Sequence, residues 1–339
     1  MRTALTLPPL RNGFLRHGFA AVATACLGVA CAAAEPAAKD GDKEPPPEPE
    51  AITLQTTDGV EVGAWVYRVA ADTDPLATVV LLHDLGGSHE TVEPLAKTLQ
   101  EGGCTVVAPD LRGHGKSPIP KLARAAGAGG QASLLKSGDF AAMAATGGGR
   151  LREQSATRGD VEVVRNWIKQ QADQAALDLD KLFVVGSGLG ATVGATWTAL
   201  DAAWPPIASG PQGGQVRGLV MIDPPFVTKG FSVAKPLAVE PLKSSLPIMI
   251  IGGGEDRDAS KVFDQLKRAR PSGWYDSQKY DAEARRNTSP AKDSEASALF
   301  LKLGGKLTGD KLAAARAPDP RQPDPAKLIL AFIQTVAGR

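Results

Sequence analysis

The sequence predicts an α/β fold in which a mainly parallel sheet carries helices on both faces, after an N-terminal antiparallel hairpin. Continuous apolar runs such as residues 77–83 (ATVVLLH) have the composition of strands that are buried on both sides. Segments with apolar residues at helical spacing, such as 160–174, alternate with these runs. This alternation is typical of a parallel sheet that is covered on both faces.

The elements follow in order along the chain. The hairpin is predicted over residues 51–57 and 60–69, because Asp58-Gly59 takes the positive φ angles that a tight turn needs. The later strands are predicted at 77–83, 104–109, 181–186, 218–222, 248–251 and 299–303. The helices are predicted at 90–100, 160–174, 189–200, 258–268 and 326–336. The polar stretch 271–297 is predicted to be a solvated loop.

The N-terminal segment has the pattern of an export signal. Basic residues precede an apolar stretch at 18–34 that ends in three alanines, which predicts a signal peptide over residues 1–34. We therefore expect an exported protein, periplasmic or secreted, and lipid attachment through Cys26 or Cys31 stays an alternative. No later run reaches the length of a membrane span, so no transmembrane span is predicted in the mature chain.

Two further segments differ in composition from the rest of the chain. Residues 35–50 are charged and rich in proline, which predicts a disordered linker before a folded domain over 51–339. Residues 118–157 contain the runs AAGAGG and ATGGG and are predicted to form a flexible insertion. This insertion is either a lid over a pocket or low-complexity filler.

Composition excludes several classes of function. The chain has 38 Lys+Arg against 37 Asp+Glu, so it lacks the basic excess that is typical of nucleic-acid binders. No His, Cys and carboxylate cluster has metal-ligand spacing, and the glycine triplets lack the Lys-Ser/Thr ending of a phosphate loop. No metal or cofactor is predicted. The expected partner is an unknown small molecule or a component of the cell envelope.

Four stretches together resemble the α/β-hydrolase superfamily, which includes esterases, lipases and serine aminopeptidases. In the order in which this family has them, they are LLHDLGGS (81–88), VVAPDLRGHGKS (106–117), VVGSGLGA (184–191) and IMIIGGGEDRD (248–258). The resemblance covers residues 51–339 and implies the fold of that family. It also implies acyl transfer by a Ser-His-acid triad, with backbone N–H groups holding the oxyanion.

The nucleophile elbow of this family, G-x-S-x-G, is altered in this chain. The sequence there is Gly186-Ser187-Gly188-Leu189-Gly190, so the resemblance places the nucleophile position at Gly188, which has no side chain. Glycine relieves the strained backbone of the turn. Ser187 stands one residue early, and a shift of one residue on a sharp turn changes the direction of the side chain. Ser187 is therefore a displaced candidate nucleophile.

The position of the catalytic base departs from the family pattern, whereas the position of the acid matches it. The resemblance puts the catalytic His after the last strand, where the best match is Leu307, and no histidine follows His114 in the sequence. His89 is the alternative base. Asp256 matches the family's acid position and is predicted to be a vestigial acid, with capping of the helix at 258–268 as the alternative.

The oxyanion loop is predicted from His83, Asp84 and Leu85, together with Gly188 and Leu189. The expected donors are the N–H of Leu189 and the N–H of either Asp84 or Leu85. His83, like His114, is in a position that the family uses structurally. Asp84 replaces a residue that is usually glycine, and its carboxylate would repel a developing oxyanion.

Together with the N-terminal export signal, these departures predict an exported α/β-hydrolase-like protein that is catalytically inactive and acts by binding a ligand or partner. The alternative is a hydrolase of carboxylic esters or related acyl compounds with a rearranged site that uses Ser187. A purely structural envelope protein is the third possibility.

Overall fold

A computed structural model describes most of the predicted folded domain. The predicted signal segment 1–34, most of the predicted linker and Asp256 lie outside the described residues. The described ranges are 45–71, 73–122, 124–125, 130–147, 158–174, 177–205, 208, 212–254, 257–271, 273–277, 297–316 and 324–338. Within these ranges, no helix combines the length and the apolar character that crossing a membrane requires.

Eleven strands are found in the described ranges. They are β1 (Glu50–Gln55), β2 (Glu61–Tyr67), β3 (Ala77–Leu82), β4 (Cys104–Pro109), β5 (Leu182–Ser187), β6 (Val216–Ile222), β7 (Val227–Thr228), β8 (Phe231–Ser232), β9 (Ile248–Gly252), β10 (Trp274–Asp276) and β11 (Ala298–Lys302). Nine of them form one sheet in the order β1-β2-β4-β3-β5-β6-β9-β11-β10, and β7 and β8 form a separate hairpin.

The strand directions confirm the predicted fold class. β1 pairs with β2 and β2 with β4 in antiparallel fashion, whereas the other neighbours in the large sheet are parallel. The turn between β1 and β2 contains Gly59 at a φ of 83°, as the Asp-Gly signal predicts.

Helices cover both faces of the sheet. The described helices are α1 (His89–Glu101), α2 (Ser137–Met143), α3 (Asp160–Asp173), α4 (Leu189–Ala202), α5 (Asp258–Ala269), α6 (Gly309–Ala313) and α7 (Pro325–Ala337). Buried residues of α1, α6 and α7 belong to the core on one face, and those of α2, α3, α4 and α5 to the core on the other.

The central strands supply side chains to both cores, because successive residues of a strand point to opposite faces. In β5, Val184 lies in the core with α4, whereas Phe183 and Val185 lie in the core with α7. All six residues of β5 are buried. The continuous apolar runs of the sequence therefore correspond to strands that are covered on both sides.

Two short elements lie in segments for which the sequence predicts a loop or an insertion. The prediction of a solvated loop over 271–297 was wrong at β10, which pairs with β11 and buries Tyr275. The predicted insertion 118–157 contains α2, with Phe140 and Met143 in the core. Both elements are too short for a periodic pattern, so only their packing distinguishes them from loops.

The topology brings several loops to one edge of the sheet. The strands β3, β5, β6, β9 and β11 run parallel, so their carboxyl ends lie together. In open α/β sheets this edge is where ligands bind. The candidate site residues of the sequence follow these strand ends.

Candidate functional site

The elbow lies between β5 and α4, with Gly188 as the single residue between them. Gly188 has φ 50° and ψ −119°, a left-handed backbone that is costly for other residues. Its N–H donates to the carbonyl of Ile222 at 2.8 Å, which fixes the turn against β6. At the position to which the resemblance assigns the nucleophile, this chain therefore presents no side-chain atom.

The carboxylate of Asp84 occupies the oxyanion hole that the resemblance predicts. Asp84 Oδ1 accepts the N–H of Leu189 at 2.8 Å and the N–H of Leu85 at 2.6 Å. Of the two donor pairs that the sequence left open, the structure brings together Leu189 and Leu85. The carboxylate thus fills the hole itself, which is a more direct obstacle to an acyl oxyanion than the predicted repulsion.

Opposing effects act on the pKa of Asp84. Burial raises the pKa of this carboxyl, and the nearby Asp310 adds to the rise, whereas the N–H groups of Leu189 and Leu85 lower it. The net pKa is above the ordinary value of an aspartate. Among the described residues, the hydrogen-bond partners of the side chain are backbone N–H groups, and no ion pair with a cation offsets this burial.

Ser187 points away from the elbow's open side. It is the last residue of β5 and shares a face with Phe183 and Val185, in the direction of α6 and α7. Its side chain donates a hydrogen bond to Asp310 Oδ1, and only 1% of the residue is exposed. A displaced nucleophile at this place is shielded from solvent.

Asp310 is the functional candidate that the sequence analysis missed. Besides Ser187, its Oδ1 accepts the N–H of Asp84 at 2.8 Å, and its Oδ2 contacts Thr91 Oγ1 at 2.5 Å. One carboxylate on α6 therefore connects β5, the loop after β3 and the start of α1. Its partners are far away in the sequence, so no local pattern identifies it.

Asp223 connects the end of β6 to the start of α6. Its φ of 49° is unusual for a residue with a side chain. The carboxylate Oδ2 accepts the N–H of Gly309 at 2.7 Å, and the backbone N–H of Asp223 donates to Ile251 at 2.7 Å. These contacts hold Gly309 beside the elbow.

His83 has a structural role at the end of β3. Its Nε2 accepts the N–H of Leu111 at 2.9 Å, so its Nδ1 carries the proton and donates to the carbonyl of Asp84 at 2.7 Å. Burial, with a contribution from the neighbouring His114, lowers the pKa of His83 to about 4. A neutral imidazole that uses both nitrogens in this way has no free lone pair for a substrate.

His89, the alternative base, lies on the β2–β4 side of the site. Its Nδ1 is 3.0 Å from Asp110 Oδ1, and its ring stacks on Trp65 with 3.2 Å between ring centroids. Asp110 also accepts the backbone N–H of His89 at 2.7 Å. The structure does not bring His89 into hydrogen-bond contact with Ser187, which bonds to Asp310 instead.

Leu307 lies at the surface beside a cavity. The residue is 45% exposed, and it lines a cavity of about 270 Å³ over the carboxyl ends of β6, β9 and β11. The other lining residues are Asp223, Pro225, Gly253, Asp258, Gly305, Lys306 and Thr308. Asp256, the predicted acid, lies outside the described residues. In the sequence it stands between Gly253 and Asp258, which line this cavity.

A metal centre has no basis in the described ranges. No group of three or more His, Cys, Asp or Glu side chains in them is arranged to hold a metal ion. The Asp310 carboxylate accepts the backbone N–H of Asp84 and the Ser187 hydroxyl, whereas the Asp84 carboxylate accepts the N–H groups of Leu85 and Leu189. The polar groups at the elbow therefore hydrogen-bond to one another.

Comparisons with known proteins agree with this architecture. Residues 77–239 match the family model described as alpha/beta hydrolase fold. A search of curated proteins finds no match to the chain.

Several solved structures are similar to the chain in fold. DcsB in complex with its substrate analogue has a TM-score of 0.50 and 14% identity, over 86% of this chain and 100% of that one. EstE1, a thermostable carboxylesterase from a metagenomic library, has a TM-score of 0.49 and 15% identity, with 87% and 90% covered. The Pyrococcus furiosus esterase Pf2001 has a TM-score of 0.43 and 16% identity, with 75% and 82% covered. At these identities the likeness concerns the fold alone.

Proposed function

We propose that this chain is an exported and non-catalytic member of the α/β-hydrolase superfamily that acts by binding a ligand or partner. One observation carries the loss of catalysis. The Asp84 carboxylate accepts both N–H groups that would stabilise an acyl oxyanion, next to a nucleophile position without a side chain. The proposal of export comes from the N-terminal sequence pattern.

The loss of rate that is expected from the missing groups supports this proposal. Removing one member of a Ser-His-acid triad typically lowers the rate by about four or more powers of ten. Here the nucleophile position is Gly188, and no histidine follows residue 114. The hydroxyl of Ser187 is buried and is bonded to Asp310.

The cavity beside Leu307 is our candidate for the ligand site. Its volume of about 270 Å³ suits a small molecule, and it lies at the sheet edge where this class of fold binds ligands. Asp223, Asp258 and Lys306 place charges of both signs around it. These features favour a small polar ligand over an apolar acyl chain.

A second candidate function is acyl hydrolysis by Ser187. The contact between Ser187 Oγ and Asp310 favours it, because a carboxylate that accepts the serine proton is in the place of a general base. This function requires Ser187 to become exposed and the Asp84 carboxylate to leave the oxyanion hole.

A fluorophosphonate probe and p-nitrophenyl acetate separate the two functions. For the native protein we expect no covalent labelling, and no turnover above that of Ser187→Ala. Asp310→Asn is the matched control, because it keeps the size of the side chain but is a weaker base. Stoichiometric labelling that disappears in Ser187→Ala would overturn the non-catalytic proposal and support hydrolysis.

A further inference from the structure

Asp84, Gly188 and Gly309 share one small volume. A Cβ atom at Gly188 would overlap Asp84 Oδ1 and the neighbouring Cγ. A Cβ atom at Gly309 would overlap Asp84 Oδ2 and would lie 3.1 Å from Cγ. Side chains at positions 188 and 309 would therefore face each other at the point where the Asp84 carboxylate now lies.

We infer that Asp84 is an internal ligand of the elbow, whose carboxylate occupies both the oxyanion hole and the space between positions 188 and 309. The same geometry makes Gly309, rather than Leu307, the residue after the last strand that faces the nucleophile position. Leu307 lies on the exposed side, beside the cavity. This inference does not require the proposed function, since it concerns only what fills the elbow.

The carboxylate is held on two sides. Its Oδ1 is 2.6 and 2.8 Å from the N–H nitrogens of Leu85 and Leu189, the distances at which an oxyanion hole binds its anion. Leu189 begins a helix of 14 residues, whose N-terminus favours a negative charge. The backbone N–H of Asp84 is bonded to Asp310, which fixes the loop in position.

This arrangement explains why positions 188 and 309 are both glycine. Gly188 and Gly309 have φ of 50° and 51°, so backbone strain alone disfavours other residues at both positions. The overlap with Asp84 adds a second, separate cost to any side chain there. If Asp84 is the internal ligand, this second cost disappears when its carboxylate is removed.

A double-mutant cycle measures the second cost. The strain of alanine at residue 188 is the same with and without Asp84, so it cancels in the comparison. We expect Gly188→Ala to lower the melting temperature of the native protein strongly, and to lower that of Asp84→Gly by less than half as much. Equal losses in the two backgrounds would overturn the inference.

Gly59→Ala is the matched control for strain. Gly59 has φ 83° with no atom within 4 Å of the added Cβ, so the substitution introduces strain without overlap. Its effect should be equal in both backgrounds and smaller than that of Gly188→Ala in the native protein. Should Asp84→Gly fail to fold, Asp84→Ser is the second background. If both fail, a Gly188→Ala loss no larger than that of Gly59→Ala would still contradict the overlap.

Acetate tests the vacated hole directly. In Asp84→Gly, we expect acetate to shift the amide NMR signals of Leu85 and Leu189 in a saturable manner, whereas the native protein shows no such shift. A folded Asp84→Gly protein without these shifts, or equal shifts in the native protein, would overturn the inference. Labelling of Ser187 by a fluorophosphonate would overturn the proposed function and leave the mutant cycle unaffected, so the two failures are distinguishable.

Discussion

Glu162 is a buried carboxylate in the first turn of α3, and it faces the indole of Trp197 on α4. Its Oε2 accepts the indole N–H at 2.9 Å, and the residue is nearly inaccessible to water. Burial raises the pKa of Glu162 to about 7, with opposing contributions from Arg165, which lowers it, and Asp201, which raises it. The residue therefore titrates in the folded protein near neutral pH.

Replacing Glu162 by glutamine should change how stability depends on pH. The pKa is about 7 in the folded state and near the ordinary glutamate value of 4.5 when the chain is unfolded, so the folded state holds the proton more tightly. The contribution of Glu162 to stability is then complete below pH 4.5 and is lost as the pH rises through 7. We expect Glu162→Gln to be more stable than the native protein at pH 8, by up to about 3 kcal/mol.

Urea denaturation at pH 5 and pH 8 checks this prediction. The stability difference between Glu162→Gln and the native protein should be clearly larger at pH 8. Glu93→Gln is the control, because Glu93 is at the surface in an i,i+4 pair with Lys97. A Glu162→Gln difference that is the same at both pH values would contradict the raised pKa.

At the scale of the element, α7 shows how a local signal begins a helix. Asp324 precedes Pro325, and its carboxylate accepts the N–H of Lys327 at 2.9 Å. This is the N-cap arrangement, with proline in the first turn where its missing N–H costs nothing. The helix then packs Ile329 and Ile333 into the core.

Loss of this cap should cost a measurable part of the stability. We expect Asp324→Ala to lower the free energy of unfolding by about 1 kcal/mol, because a backbone N–H at the helix start loses its partner. Asp324→Ser keeps an acceptor oxygen and should remain close to the native protein. Chemical denaturation of the three proteins measures this, and equal losses for alanine and serine would argue against capping.

The start of α4 at the elbow is also completed by an aspartate, but this aspartate is far away in the sequence. α4 follows Gly188 without a capping side chain of its own, and the acceptor for its first N–H is the carboxylate of Asp84 from the loop after β3. The helix start is thus completed by a residue 105 positions earlier in the chain. The same contact closes the oxyanion hole.

At the scale of the whole molecule, one sheet connects two hydrophobic cores. Phe332 of α7 packs edge-on against Phe183 of β5, with 6.5 Å between ring centroids. Trp197 lies in the core on the opposite face. Because the central strands contribute to both cores, neither face can lose its packing without affecting the other.

Truncation of Phe332 tests this coupling. We expect Phe332→Ala to lower the free energy of unfolding by about 3–5 kcal/mol, from lost burial and the cavity that remains. The unfolding midpoints followed by far-UV circular dichroism and by tryptophan fluorescence, to which Trp197 on the other face contributes, should shift to the same extent. Separate transitions for the two probes would indicate that the cores unfold independently.

Much of the fold could be predicted because its signals are local. The run 104–109 is a strand over the predicted residues, and the helix that was predicted at 160–174 spans Asp160–Asp173. β10, α2 and α6 were not predicted, because three, seven and five residues are too few for a periodic pattern. In the site, the direction of Ser187 followed from its position one residue before the turn.

The sequence by itself determined the order of the longer strands and helices, the absence of a side chain at Gly188 and the absence of a histidine after residue 114. These properties depend on residue identity and on contacts between near neighbours. Only the tertiary structure decided that the Asp84 carboxylate fills the oxyanion hole, that Asp310 accepts the Ser187 hydroxyl, and that Gly309 faces the elbow. The residues that meet there are 105, 123 and 226 positions apart in the chain, and no local pattern carries information about contacts at such separations.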